Sequence, residues 1–169
     1  MFIIETDPHQ DTKLTLENIK NKFGSVPPHF ELLATVNPKR FELFIQEILY
    51  LSSHQNIHPD FFSFLRLNIA TKEAFNYCIM FNSKLLLSKN YSKEILRLIK
   101  DDIKNIPLDS RHISLAKAAM KAIYSAGDFN YNDIQELKEL GWTDADIYDA
   151  IDHTAFLFKN AKIIRAYNK

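Results

Sequence analysis

Apolar residues recur along this chain at intervals of three and four, the spacing that lays side chains along one face of an α-helix. Asn37 is suited to cap a helix with Pro38 at its first position, and Phe41, Phe44, Ile45, Ile48 and Leu49 then share a face. His58-Pro59-Asp60 opens a further helix. Its Phe61, Phe62, Phe64, Leu65, Leu67 and Ile69 make it apolar nearly all round, which predicts a central element. A segment through Cys78 continues to Leu87. Ser92 starts the next helix, striped by Ile95, Leu98, Ile99 and Ile103, and this one ends before Pro107. Asp109 caps another, in which Ile113, Ala116, Met120 and Ile123 recur and which Gly127 closes. Its small Ala116, Ala118, Ala119 and Ala122 allow close approach of a neighbour. A short helix from Ile134 to Leu140 stops at Gly141, a residue suited to a left-handed cap. Thr143 with Asp146 then imitates a capping box before a last helix that turns Ile147, Ile151, Ala155, Phe158 and Ile164 inward. No segment reads as a strand.

Three glycines and six prolines in 169 residues suit long helices better than many short strands. The reading is an all-α single domain of about seven or eight helices, with residues 1–15 loosely ordered and the helical domain over 16–169. A chain of this length buries about 70% of the surface its unfolded form exposes, and the 46% hydrophobic content supplies an ordinary core. Lys plus Arg balances Asp plus Glu at 21 each, so no global basic field favours nucleic acid. The single cysteine cannot form an internal disulfide or a cysteine-based zinc site, and a reducing cytoplasm is the default. The opening apolar run of four residues is too short for a signal peptide, and no stretch approaches the ~20 apolar residues of a membrane span.

Three motifs, in order, resemble the carboxymuconolactone decarboxylase and AhpD-like alkylhydroperoxidase family. The first is Phe23-Gly24-Ser25-Val26-Pro27 followed by Asn37-Pro38. The second is Leu67-Asn68-Ile69-Ala70 leading to Tyr77-Cys78. The third runs from Leu137 through Gly141-Trp142-Thr143 to Ile147, and on to Phe156-Leu157-Phe158-Lys159-Asn160. The three cues span residues 16 to 165, and their order carries the likeness more than any one of them. The resemblance implies an AhpD-like helical domain, and a homo-oligomer assembled through helical faces. The Phe61 to Leu67 helix and the alanine-rich helix are the candidates for buried or interface surface.

In active members of that family the site is a glutamate, a Cys-x-x-Cys pair at the start of the next helix, and a histidine four residues beyond the second cysteine. A thiolate attacks the peroxide, a base takes its proton, and the second thiol resolves the sulfenic acid as a disulfide. Carried over by position, the second cysteine falls on Cys78, the first on Phe75, the histidine on Asn82 and the glutamate on Ser63. Phe75 cannot resolve a sulfenic acid, and neither Asn82 nor Ser63 is a base near neutral pH. The dithiol relay is therefore expected to be absent.

Cys78 then reads either as a lone redox thiol reduced by an outside thiol or as a small buried hydrophobe, and the second is favoured because no base or cation is in view. His153, on the last helix among Ile151, Ala155 and Phe156, is a candidate base for Cys78 or else a core histidine. His54 and His58 have metal-ligand spacing if helical, but Pro59 and Asn56 favour a surface loop. His112 is expected to face solvent. The basic residues Lys159, Lys162, Arg165 and Lys169 read as a solvated face. Thirteen Phe and seven Tyr can line an apolar pocket, though plain core is the simpler use.

The expected function is that of an AhpD-like protein without the dithiol peroxidase relay, acting as a binding or structural homologue. Two alternatives stand: a one-cysteine antioxidant enzyme using Cys78 with His153, and a lyase acting on a lactone, for which His153 is the only nameable proton-transfer group. No cofactor, metal, nucleic-acid or membrane partner is expected; a small apolar or peroxide ligand is.

Overall fold

The computed structural model describes residues 2–168. Within them the chain forms nine α-helices and two short 3-10 turns, and its sole β feature is an antiparallel bridge between Phe2 and Asn168. The chain divides into two compact units, one built from residues up to Ser52 together with Ile163 onward, the other from Ser53–Lys162.

The first unit contains α1 (Gln10–Phe23), α2 (Pro28–Val36) and α3 (Pro38–Ser52). Gly24 closes α1 at φ 76°, a left-handed conformation that glycine adopts without steric penalty, and its N–H reaches the Lys20 carbonyl at 2.7 Å. Asn37 caps α3 as its sequence predicts, its Oδ1 accepting from the Arg40 N–H at 3.0 Å. Phe30, Phe41 and Phe44 form the aromatic core, with Phe30 edge-on to Phe44 at 5.0 Å. Leu49, expected on the same face, is exposed, and Leu51 is buried instead. The residues before α1 carry the bridge at Phe2 and an Ile3 N–H bonded to the Tyr167 carbonyl at 2.7 Å.

The second unit is organised around α4 (Phe61–Lys72), in which nine residues are buried, as its all-round apolar character predicts. The chain then reverses through Ala74 at φ 50°, with the Phe75 N–H bonded to the Ala70 carbonyl at 2.8 Å, and enters α5 (Asn76–Ser88), the helix in closest association with α4. Next come α6 (Lys93–Asp101), capped by Ser92, a 3-10 turn at Ile103–Asn105, and α7 (Ser110–Tyr124), capped by Asp109. α7 ends at Ser125; Gly127, expected to close it, sits in the 3-10 turn Ala126–Asp128. After α8 (Tyr131–Glu139), Gly141 takes φ 85°. Thr143 and Asp146 exchange reciprocal bonds of 2.8 and 3.1 Å at the start of α9 (Asp144–Tyr167), so the imitation capping box is formed. The buried line of α9 runs through Ile147, Ala150, His153, Thr154, Ala161 and Ile164, while Ile151, Ala155 and Phe158 are half-buried.

Candidate functional site

Three helices of the second unit, α4, α5 and α9, bring the sequence-identified positions together. Phe75 is the N-cap residue of α5, so Cys78 lies in the first turn of that helix, and Asn82 follows one turn later on the same side. Ser63 is buried on α4, and His153 is 2% exposed on α9. The group that joins them is Arg66, one turn beyond Ser63 on α4. Its Nη2 donates to Ser63 Oγ at 2.7 Å, its Nε to Asn82 Oδ1 at 3.1 Å, and its Nη1 to His153 Nε2 at 3.2 Å. Asn82 is fixed from its other end by donating through Nδ2 to the Cys78 carbonyl at 2.8 Å.

Sequence reasoning passed over Arg66. A signal was present: it is the lone charge in a run from Phe61 to Ala70 otherwise made of apolar and neutral residues, and α4 buries every other residue of that run. A charged group kept on so apolar a helix calls for partners.

The protonation states follow from these contacts. An arginine only donates, so His153 must accept at Nε2 and carry its proton on Nδ1. Burial first, and the Arg66 charge second, hold His153 well below its ordinary pKa, which keeps it neutral. Its Nδ1 is buried with no hydrogen-bond partner, and its ring lies edge-on to Phe62 at 5.1 Å and stacked near Phe156 at 5.8 Å. Burial lowers Arg66 to about 10, so the guanidinium remains charged at neutral pH. Among the described residues no carboxylate comes within ion-pair distance of it. Asp60 is close enough to be felt electrostatically, but its oxygens are taken up by Lys89 and, at 2.9 Å, by the Tyr91 hydroxyl.

Cys78 is half-buried, and no side chain hydrogen-bonds its thiol among the described residues. Two influences favour its thiolate: the first-turn position on α5 and the Arg66 charge. Burial outweighs the guanidinium and pushes the thiol up to about 12. A cation is thus present where the sequence suggested none, and burial outweighs it. His153 joins the cluster through Arg66, and its Nε2 meets the guanidinium instead of the thiol.

His54, His58 and His112, also in the second unit, make contacts apart from this cluster. His54 lies in the loop before α4, but it is not a surface residue: its side chain is 7% exposed. Its Nδ1 accepts from the backbone N–H groups of Asn56 and Ile57 at 3.2 and 3.1 Å, while Nε2 lies 3.5 and 3.4 Å from Asp146 and Asp149. His112, expected to face solvent, is buried under Trp142 at a ring separation of 5.0 Å. It bonds Asp109 through Nδ1 at 2.7 Å and accepts the His58 N–H through Nε2 at 3.1 Å. Among the described residues no group of three or more His, Cys, Asp or Glu side chains is placed to hold a metal ion. No helix among them is long and apolar enough to cross a membrane.

The fold has solved counterparts. An uncharacterized peroxidase-related protein from Silicibacter sp. TM1040 superposes with a TM-score of 0.83 at 16% identity, over 98% of this chain and 89% of that one. A second, from Ralstonia eutropha JMP134, is described as an alkylhydroperoxidase AhpD core and an uncharacterized peroxidase-related protein. It matches with a TM-score of 0.79 at 18% identity, over 95% of this chain and 84% of that one. The all-α architecture is therefore AhpD-like, as the ordered motifs imply. No curated protein matches the chain. The model of the family described as Domain of unknown function (DUF8609) matches residues 30–125, a span that contains α4, α5 and the Arg66 cluster except His153, and being more than half of the sequence it places the chain in that family.

Proposed function

We propose that this chain is an AhpD-like protein that has lost the dithiol peroxidase relay and serves as a non-catalytic binding or structural homologue. The observation that carries the reading is what Ser63 and Asn82 do. At the positions where the resemblance expects a glutamate and a histidine, these two neutral side chains hold Arg66, and among the described residues the Cys78 thiol has no side-chain acceptor. A thiol pushed up to about 12 is ionised in roughly one molecule in 10⁵ at pH 7. Phe75 offers no second sulfur to resolve a sulfenic acid.

The one-cysteine alternative draws its support from the Arg66 charge, which favours a thiolate, and is opposed by the burial that overrides it. The lactone-lyase alternative needs a proton-transfer group, and His153 is held neutral with its Nε2 occupied. Assembly as a homo-oligomer in the cytoplasm and binding of a small apolar or peroxide ligand complete the proposed role. The test is consumption of an organic hydroperoxide with dithiothreitol as reductant. The rate is expected at background and unchanged in Cys78→Ser. Turnover well above background that disappears in that variant would sink the reading.

A further inference from the structure

We propose that Arg66 anchors a binding site for a small carboxylate monoanion with an apolar body. The inference rests on the non-catalytic binding reading above, and names a site for it and the class of ligand that site takes.

The guanidinium has five N–H donors. Three go to Asn82 Oδ1, His153 Nε2 and Ser63 Oγ, all neutral acceptors, so the contacts orient the planar group without neutralising it. One N–H on each Nη is left over. Two donors on one planar cation match the two oxygens of a carboxylate, the pairing that guanidinium makes with the best geometry. A cation withdrawn from water without a counter-ion is an unfavourable arrangement unless something completes it. Among the described residues no carboxylate pairs with it, since Asp60 is committed to Lys89 and Tyr91. As a residue Arg66 is half-buried, the least enclosed position in the run from Phe61 to Ala70.

The charge specifies the valence. Arg66 is the one cation in the cluster, with His153 held as a neutral imidazole beside it. A single positive charge balances a monoanion. A phosphate dianion would bring more charge and more acceptor oxygens than two N–H groups can serve. The apolar body is argued from Phe62, buried, and Phe156, half-buried, whose rings flank the imidazole that touches the guanidinium. An imidazole set among aromatic rings beside the cation favours an acid with a hydrocarbon or ring substituent over a fully hydrated ion.

Benzoate is the probe. Calorimetric titration of the full chain at pH 7, against sodium chloride of equal ionic strength, is expected to give saturable uptake. Benzamide, the neutral near-isostere, is expected to bind at least about tenfold more weakly, since a hydrogen bond to a charged group is worth about that factor. Arg66→Met is expected to weaken benzoate binding about tenfold to a hundredfold. The benzoate–benzamide comparison needs only the native chain, so it decides the matter even if that variant fails to fold. Equal affinity for the two probes, absence of uptake at millimolar benzoate, or displacement by inorganic phosphate as readily as by acetate would overturn the assignment. If benzoate fails to bind while hydroperoxide turnover stays at background, the carboxylate site falls and the non-catalytic reading stands. Turnover that depends on Cys78 would remove that reading whatever benzoate does.

Discussion

A thiol in the first turn of a helix, with a guanidinium in electrostatic reach, has two of the features that usually lower its pKa. In Cys78 both are present and burial still prevails. Under the proposed reading, what surrounds the sulfur decides the balance. Arg66 is engaged by Ser63, Asn82 and His153, and none of these is charged. The same guanidinium depresses His153, which gives a direct check of the electrostatics. In Arg66→Met the His153 pKa is expected to rise, because removing a neighbouring positive charge makes protonation less unfavourable. Burial, the larger cause, keeps it below the ordinary 6.5. Proton NMR titration of the ring measures it; a His153 pKa unmoved by the substitution would contradict the proposed coupling.

Helix boundaries in this chain were largely legible because they are written in local chemistry. Asn37 with Pro38, Ser92, Asp109 and the Thr143–Asp146 exchange each cap the helix that their sequence predicts. Where a boundary depends on a longer-range arrangement, the sequence misleads. Gly127 reads as a helix closer, yet Ser125 ends α7 and the glycine falls in the following turn. His112 reads as solvent-facing because the covering residue, Trp142, is thirty positions further on. The reversal at Ala74 left no mark in the sequence: an alanine at φ 50° sits where glycine would be the default. That position joins α4 to α5 and so sets how Cys78 and Asn82 stand against Arg66. Ala74→Gly is expected to stabilise the fold by about 1 kcal/mol, the size of the left-handed penalty for a Cβ. Chemical unfolding measures this, and a loss of stability would mean that the alanine side chain contributes more than its backbone costs.

The family resemblance located four positions, and the structure gathers Ser63, Cys78 and Asn82 with His153 in one neighbourhood of the second unit. What the sequence reading passed over was the agent that gathers them, although a lone arginine on a helix read as central was the signal for it. Each of the two units contains a histidine that burial keeps neutral: His29 in the first, lowered to about 4, and His153 in the second. The sign follows directly. Both native pKa values lie below the unfolded value of about 6.5, so the unfolded chain takes up protons that the native chain refuses as pH falls. Stability contributed by these groups is intact above pH 6.5 and is lost through the window from 6.5 down to about 4 for His29, and lower still for His153. The denaturant midpoint is expected to drop between pH 7.5 and pH 5. A midpoint that stays level over that range would show that neither imidazole is buried neutral.

The account turns on the ionisation of one sulfur. Thiolate absorbance at 240 nm, recorded for the folded chain across pH and referenced to Cys78→Ser, reads it directly. The expected curve is flat through pH 9 and rises only as the pH approaches the value of about 12 to which burial pushes the group. A thiolate half-formed below about pH 7.5, in the range of reactive cysteines, would contradict the account.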